Sequence, residues 1–159
     1  MRRRFYSSSA GDFWALRSLR DAVDLAHKME DSDTAGRWGG VAERFASALF
    51  ASIEGTRAAH KLDFIPGSVE WADFDPTATA NAIAFLDVSD GLNSKAVEHT
   101  FDRYLSDWRP PTQRNPRWTK YSPYEIRIIG APVRLGPHED ALELLWFFLS
   151  DRRPPAWNQ

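Results

Sequence analysis

Apolar residues recur every three to four positions along most of this chain, and that period predicts helices. Leu16, Leu19, Val23, Ala26 and Met29 fall at helical spacing, which predicts a first helix over Gly11–Glu30 with Asp12 as its N-cap. Asp31-Ser32-Asp33 breaks the pattern and offers a cap for a second helix over Thr34–Ala59, with Trp38, Val41, Phe45, Ala48, Leu49 and Ile53 as its stripe. A short third helix is expected over Thr77–Leu86, with Ala78, Ala80, Ile83 and Ala84 inward, followed by a turn over Ser89–Asn93. The fourth covers Ser94–Trp108 through Val97, Phe101, Tyr104, Leu105 and Trp108. The fifth starts at Ser122-Pro123-Tyr124-Glu125, where Ser122 and Glu125 form a capping box around a proline at the first helical position. It carries Ile126, Ile129, Val133 and Leu135, and Pro132 should kink or interrupt it. Gly136-Pro137 precedes the last helix, His138–Ser150, with Leu142, Leu145, Trp146 and Leu149 as its core stripe. Strand patterning is poor. The expected fold is all-α: six helices pairing as three antiparallel hairpins in one domain over 1–159, with 1–11 and 152–159 as extended or flexible ends.

Two segments lack any helical period. Leu62–Asp75 holds Pro66, Gly67, two Phe, a Trp and four carboxylates, and reads as a long ordered loop. It ends in Asp75-Pro76-Thr77, an N-cap followed by a proline at the first helical position. Arg109–Lys120 is proline-rich and basic. Ordered loops of a dozen residues are uncommon unless functional.

Composition narrows the classes. A hydrophobic fraction of 43% and seven Trp can support a core. A net charge of −2 gives no bulk attraction to nucleic acid or an anionic membrane. No apolar run reaches the roughly 18 residues that span a bilayer, and Arg2-Arg3-Arg4 is not followed by the apolar stretch of a signal peptide. A cytoplasmic location is the default expectation. Cysteine is absent, which excludes disulfides, thiolate metal sites and a Cys nucleophile. No His pair has metal-ligand spacing and no nucleotide-binding glycine loop occurs, so neither metal nor cofactor is expected.

Three segments stand out in order: Phe64-Ile65-Pro66-Gly67-Ser68-Val69-Glu70-Trp71-Ala72-Asp73-Phe74-Asp75-Pro76-Thr77, then Tyr121-Ser122-Pro123-Tyr124-Glu125-Ile126-Arg127, then Asp151-Arg152-Arg153-Pro154-Pro155-Ala156-Trp157-Asn158-Gln159. Together and in this order they resemble segments of bacterial six-hairpin glycosidase-like proteins. The resemblance implies an (α/α)6 toroid and carbohydrate as the substrate class. Six helices make half of such a twelve-helix ring. Half a ring leaves apolar flanks on its inner helices, which predicts self-association, most simply as a two-fold dimer.

Glycoside hydrolysis needs two carboxylates, and the acid member needs an apolar setting that raises its pKa. Glu70 lies between Val69 and Trp71, and Asp73 between Ala72 and Phe74, so these two are the candidate acid/base pair. Asp75 is a candidate substrate-binding residue on the same loop, with a helix cap as its simpler reading. Glu125 is a further candidate carboxylate among Trp118, Tyr121 and Tyr124, although its capping-box position accounts for it without function. Aromatic rings suit the apolar faces of sugars, which makes Trp71, Trp118, Tyr121, Tyr124 and Trp157 candidate stacking residues. Trp14, Trp38, Trp108 and Trp146 fall on helical stripes and read as core. His60, just before the loop, is a candidate sugar-binding residue, with a helix-end role as the plainer reading. Arg109, Arg114 and Arg117 form a basic loop that suits either an acidic sugar or solvent. Two other functions stay open: a non-catalytic helical module that binds sugar or assembles with itself, and a serine esterase using Ser68.

Overall fold

The structure, a computed structural model, describes residues 9–109 and 123–150. Six α-helices and no strand occur among them: α1 (Ser9–Lys28), α2 (Ser32–His60), α3 (Pro76–Ala80), α4 (Ser94–Trp108), α5 (Gly130–Leu135) and α6 (His138–Ser150). A π-helical turn, Asn81–Phe85, extends α3, and a 3-10 helix, Pro123–Ile129, leads into α5. The all-α expectation holds. Consecutive helices pack in pairs, α1 with α2, α3 with α4 and α5 with α6. None of the described helices is long and apolar enough to cross a membrane.

Local chemistry explains most boundaries. The Asp31 carboxylate accepts from the Thr34 amide at 3.0 Å and starts α2. Both α1 and α2 end in a paired carbonyl cap whose left-handed residue is not glycine. Glu30 has φ 58° and Lys61 φ 54°. The amides of Glu30 and Asp31 donate to His27 and Ala26, and those of Lys61 and Leu62 donate to Ala58 and Arg57. With only Met29, Glu30 and Asp31 between them, α1 and α2 fold back as a hairpin.

Several sequence expectations are corrected. Asp12 does not cap α1; the helix begins at Ser9, and Asp12 lies in its first turn. The Ser9 amide donates to the Gly67 carbonyl at 2.9 Å, so a distant loop supplies the acceptor that a local cap would have supplied. The second correction concerns α6. Leu142, Trp146 and Leu149 are 56%, 67% and 40% exposed, while Ala141 and Leu144 are buried and Phe147 and Phe148 pack on the core. The run from Leu144 to Leu149 is apolar on every side, so its period cannot choose a face. Edge-to-face packing of Phe147 on Trp108, at 5.3 Å between centroids, marks the inward one.

The third correction lies between Pro123 and Leu135. Ile128, Ala131 and Pro132 are buried, and Ile126, Val133 and Leu135 are exposed. The 3-10 helix turns once every three residues, which rotates the chain away from the α-helical register assumed from spacing. The interruption expected at Pro132 occurs as the change from 3-10 to α at Ile129–Gly130. There a side chain at Gly130 would place its Cβ 2.5 Å from the Cβ of Ala84, so glycine permits the close approach to the π turn. Trp14 and Trp38 are also exposed, leaving Trp108 as the buried one of the four helical tryptophans.

Candidate functional site

The loop between α2 and α3 is ordered by hydrogen bonds at nearly every residue. Arg57 ties its start by donating from Nε to the Phe64 carbonyl at 3.2 Å, while its Nη1 donates to both carboxylate oxygens of Glu54. The Ile65 amide donates to the Thr100 hydroxyl at 2.9 Å, and that hydroxyl donates onward to the Ala96 carbonyl at 2.7 Å. The carbonyls of Pro66 and Gly67 receive the hydroxyl and amide of Ser9.

Ser68–Ala72 then forms a single closed turn. The Ser68 hydroxyl accepts from the Trp71 amide at 3.1 Å, and the Ser68 carbonyl accepts from the Ala72 amide at 3.0 Å. Ala72 adopts the left-handed conformation, φ 52°, that ends such a turn. Asp73 closes the ring twice: its carbonyl accepts from the Gly67 amide at 2.9 Å, and its carboxylate from the Ser68 amide at 2.9 Å. Asp75 accepts from the Thr77 amide at 2.9 Å with Pro76 first in α3, which matches the cap reading of its sequence.

The turn carries Glu70 and Trp71 outward. Glu70 is exposed and Trp71 is 62% exposed. Asp73 is exposed too, but one carboxylate oxygen holds the loop's own backbone. Ser68 is only 4% exposed, and its hydroxyl serves the Trp71 amide, an arrangement that caps a turn rather than presenting a nucleophile. His60 is exposed at the last position of α2.

Helix α4 is the support for all of this. His99 lies 4.0 Å from the Asp63 carboxylate, and Thr100 holds Ile65. The Arg103 guanidinium stacks over both Phe64 and Phe74, at 4.8 and 4.2 Å from their ring centres. Those two rings meet edge to face at 5.2 Å. One turn beyond Thr100, the buried Tyr104 donates its phenol to Glu125 at 3.2 Å. Tyr124 is exposed, with the Arg127 guanidinium 4.8 Å over its ring. The second carboxylate candidate is thereby joined to the same helix as the loop. Thr100 and Arg103 escaped sequence reading because a polar residue on a helix shows no preference for one distant segment; the only trace was their spacing one turn from Tyr104 and Asp107. Arg109 bonds Glu143 at 2.9 Å and also Asp140, so α6 takes up that arginine and holds its pKa above the ordinary value. Trp118, Tyr121, Ser122, Arg114, Arg117 and Trp157 lie outside the described residues.

A separate cleft of about 660 Å³ opens between α1, α2 and the segment 87–91. Arg17, Arg20, Asp24, Glu43, Asp87 and Asp90 supply its charges, and none of its lining residues belongs to the 62–75 loop. Its parts come from three separated stretches, so no sequence motif announces it. A side chain at Gly91 would bring its Cβ within 2.1 Å of the Phe50 ring, so glycine lets this segment lie against α2. Arg20 donates to both oxygens of Asp90, at 3.0 and 2.9 Å, and holds that carboxyl below the usual carboxylate range. A depressed folded-state pKa stabilises the fold above the unfolded value and loses that contribution as pH falls through the folded one. Because this pair is largely solvated, it is worth below about 1 kcal/mol. Urea titrations should therefore show Asp90→Asn less stable than wild type at pH 6, with the gap closing as pH falls below about 4. A gap that persists or grows in acid would contradict this linkage.

Comparison with protein families, with curated proteins and with solved structures found no match to this chain.

Proposed function

We propose that this chain is a carbohydrate-active protein of glycosidase type, with Glu70 as an acid/base carboxylate and Trp71 as the surface on which a sugar ring stacks. The observation that carries the reading is the closed turn over 68–73, which carries an exposed carboxylate and an exposed indole at consecutive positions on a backbone fixed by its own hydrogen bonds. A carboxylate accepts from sugar hydroxyls, and an indole face covers the apolar C–H surface of a pyranose. Holding both on a fixed loop reduces the ordering that binding requires. The resemblance of the 64–77 segment to six-hairpin glycosidase-like proteins gives the same substrate class.

A general acid works best in an apolar, sheltered setting, whereas Glu70 is exposed. The proposal therefore includes an opposite wall, furnished by a second copy of the chain through exposed apolar faces such as that of α6. The same exposure favours one alternative, a sugar-binding module without catalysis. In either case Asp73 is assigned to shaping the loop rather than to proton transfer.

The deciding experiment is hydrolysis of a panel of aryl glycosides, together with binding of oligosaccharides followed by tryptophan fluorescence. Glu70→Gln should lower the turnover of an accepted glycoside by about 10²–10⁴-fold at unchanged thermal stability. Asp73→Ala should instead lower stability by about 1 kcal/mol through loss of the amide acceptor. Binding that depends on Trp71 without any hydrolysis selects the module. Absence of both ends the carbohydrate reading.

A further inference from the structure

We propose that Glu125 is the second carboxylate of the sugar site, the one that activates water opposite Glu70, and that Tyr104 is its positioning residue. This inference rests on the glycosidase reading of Glu70.

Its ground is what α4 joins. Thr100 and Tyr104 are four residues apart, and residues at that spacing lie on the same side of a helix with Cβ atoms about 5–6 Å apart. Both are buried, at 0% and 1% exposed. Thr100 accepts from the Ile65 amide of the Glu70 loop, and Tyr104 donates to the Glu125 carboxylate at 3.2 Å. Two segments separated by some sixty residues are thus fastened to adjacent positions of one rigid element. The flanking row strengthens the same link, since His99 and Arg103 hold Asp63, Phe64 and Phe74. The 3-10 helix that carries Glu125 also packs directly against α3, which the loop leads into.

The chemistry suits a base. The phenol is placed to donate to Glu125 Oε2, and a donor there suits the ionised, acceptor-only form that a base needs. Tyr104 is anchored in the core, which fixes its hydroxyl and through it the orientation of Glu125. Glu125 itself is part-exposed, and one of its carboxylate oxygens receives the phenol. In the step proposed, protonated Glu70 gives its proton to the glycosidic oxygen as the bond from that oxygen to the anomeric carbon breaks. Water adds to the anomeric carbon and its proton passes to Glu125. One water is consumed across one bond, and exchange of protons with solvent returns Glu70 to the acid and Glu125 to the carboxylate. Tyr104 keeps its proton throughout.

The test uses the aryl glycoside that wild type hydrolyses in a Glu70-dependent way. Glu125→Gln should lower kcat by about 10²–10⁴-fold. Glu125→Ala should recover turnover when sodium azide is added, giving a glycosyl azide of inverted anomeric configuration. Tyr104→Phe keeps the buried ring and should lower kcat with little change in KM while moving the limb of the pH–rate profile that reports the base. Glu125→Gln within twofold of wild type, or an unchanged profile in Tyr104→Phe, overturns the inference and leaves the role of Glu70 standing. Should Glu125→Gln fail to fold, the Tyr104→Phe profile decides alone. Wild type that hydrolyses no glycoside removes the underlying reading, and this inference with it.

Discussion

Leu144→Ala is expected to destabilise the fold by about 2–5 kcal/mol, while Leu142→Ala changes stability by no more than about 0.5 kcal/mol. Both are leucines on α6, two residues apart, and sequence period favours Leu142 as the core position. Leu144, however, is fully buried in the cluster that includes Trp108, Ile128 and Ala131, and Leu142 lies on the outer side. Truncating Leu144 removes its transfer energy and leaves a cavity beside residues held by other helices. Truncating Leu142 removes contacts made largely with water. For a chain of this size each kcal/mol moves Tm by roughly 2–4 °C, so the first variant should melt well below the second. Equal losses in urea denaturation would mean that α6 packs by its other face.

Gly67→Ala is expected to cost about 1–3 kcal/mol and to loosen the whole 68–73 turn. Its Cβ would stand 2.4 Å from the Asp75 Cβ, 3.2 Å from the Asp75 nitrogen and 3.3 Å from its Cα. These are the cap and backbone at the start of α3, so no flexible side-chain end can move aside. Gly67 also accepts from Ser9 and donates to Asp73. Displacing it therefore disturbs the beginnings of α1 and α3 together with the ring that presents Glu70 and Trp71. Hydrogen exchange of the Gly67, Ser68, Trp71 and Ala72 amides gives the local readout. Faster exchange at all four, beyond what lower global stability explains, is the expected result; exchange that stays at the wild-type rate would show that the close approach to Asp75 does not clamp the loop.

The two variants mark the boundary between what local chemistry and long-range packing control. The span of α4, Ser94–Trp108, and that of α6, His138–Ser150, were readable in advance. The start of α4 is set locally, by the Asn93 side chain that accepts from the Ala96 amide at 3.0 Å. Asp31 and Asp75 cap the amides that their sequence positions suggested, because such bonds cross only two or three residues. The ordered loop before α3 was visible in the same way, since proline, glycine and an absent helical period are local signals.

The start of α1 was not readable, because its acceptor is the Gly67 carbonyl, far along the chain. Nor was the end of α2 marked by a glycine, since Lys61 takes the left-handed cap itself. The candidate site divides along the same line. Glu70, Trp71, Asp73 and Glu125 stand out as residue types in an aromatic setting, so the sequence nominated them. That Asp73 is taken up by the Ser68 amide, and that Glu125 is held by a phenol from α4, depends on contacts between separated segments.

Taken by itself, the sequence determined that the chain is helical, the spans of α4 and α6, the caps at Asp31 and Asp75, and which loop gathers the polar and aromatic groups. These follow from backbone hydrogen bonds and side-chain spacing within a few residues. The tertiary structure decided which face of α6 is buried, how the 3-10 helix rotates the chain before α5, and which side chains of α4 tie the loop to Glu125. An apolar helix can bury either side, and only the shape of what it meets selects one.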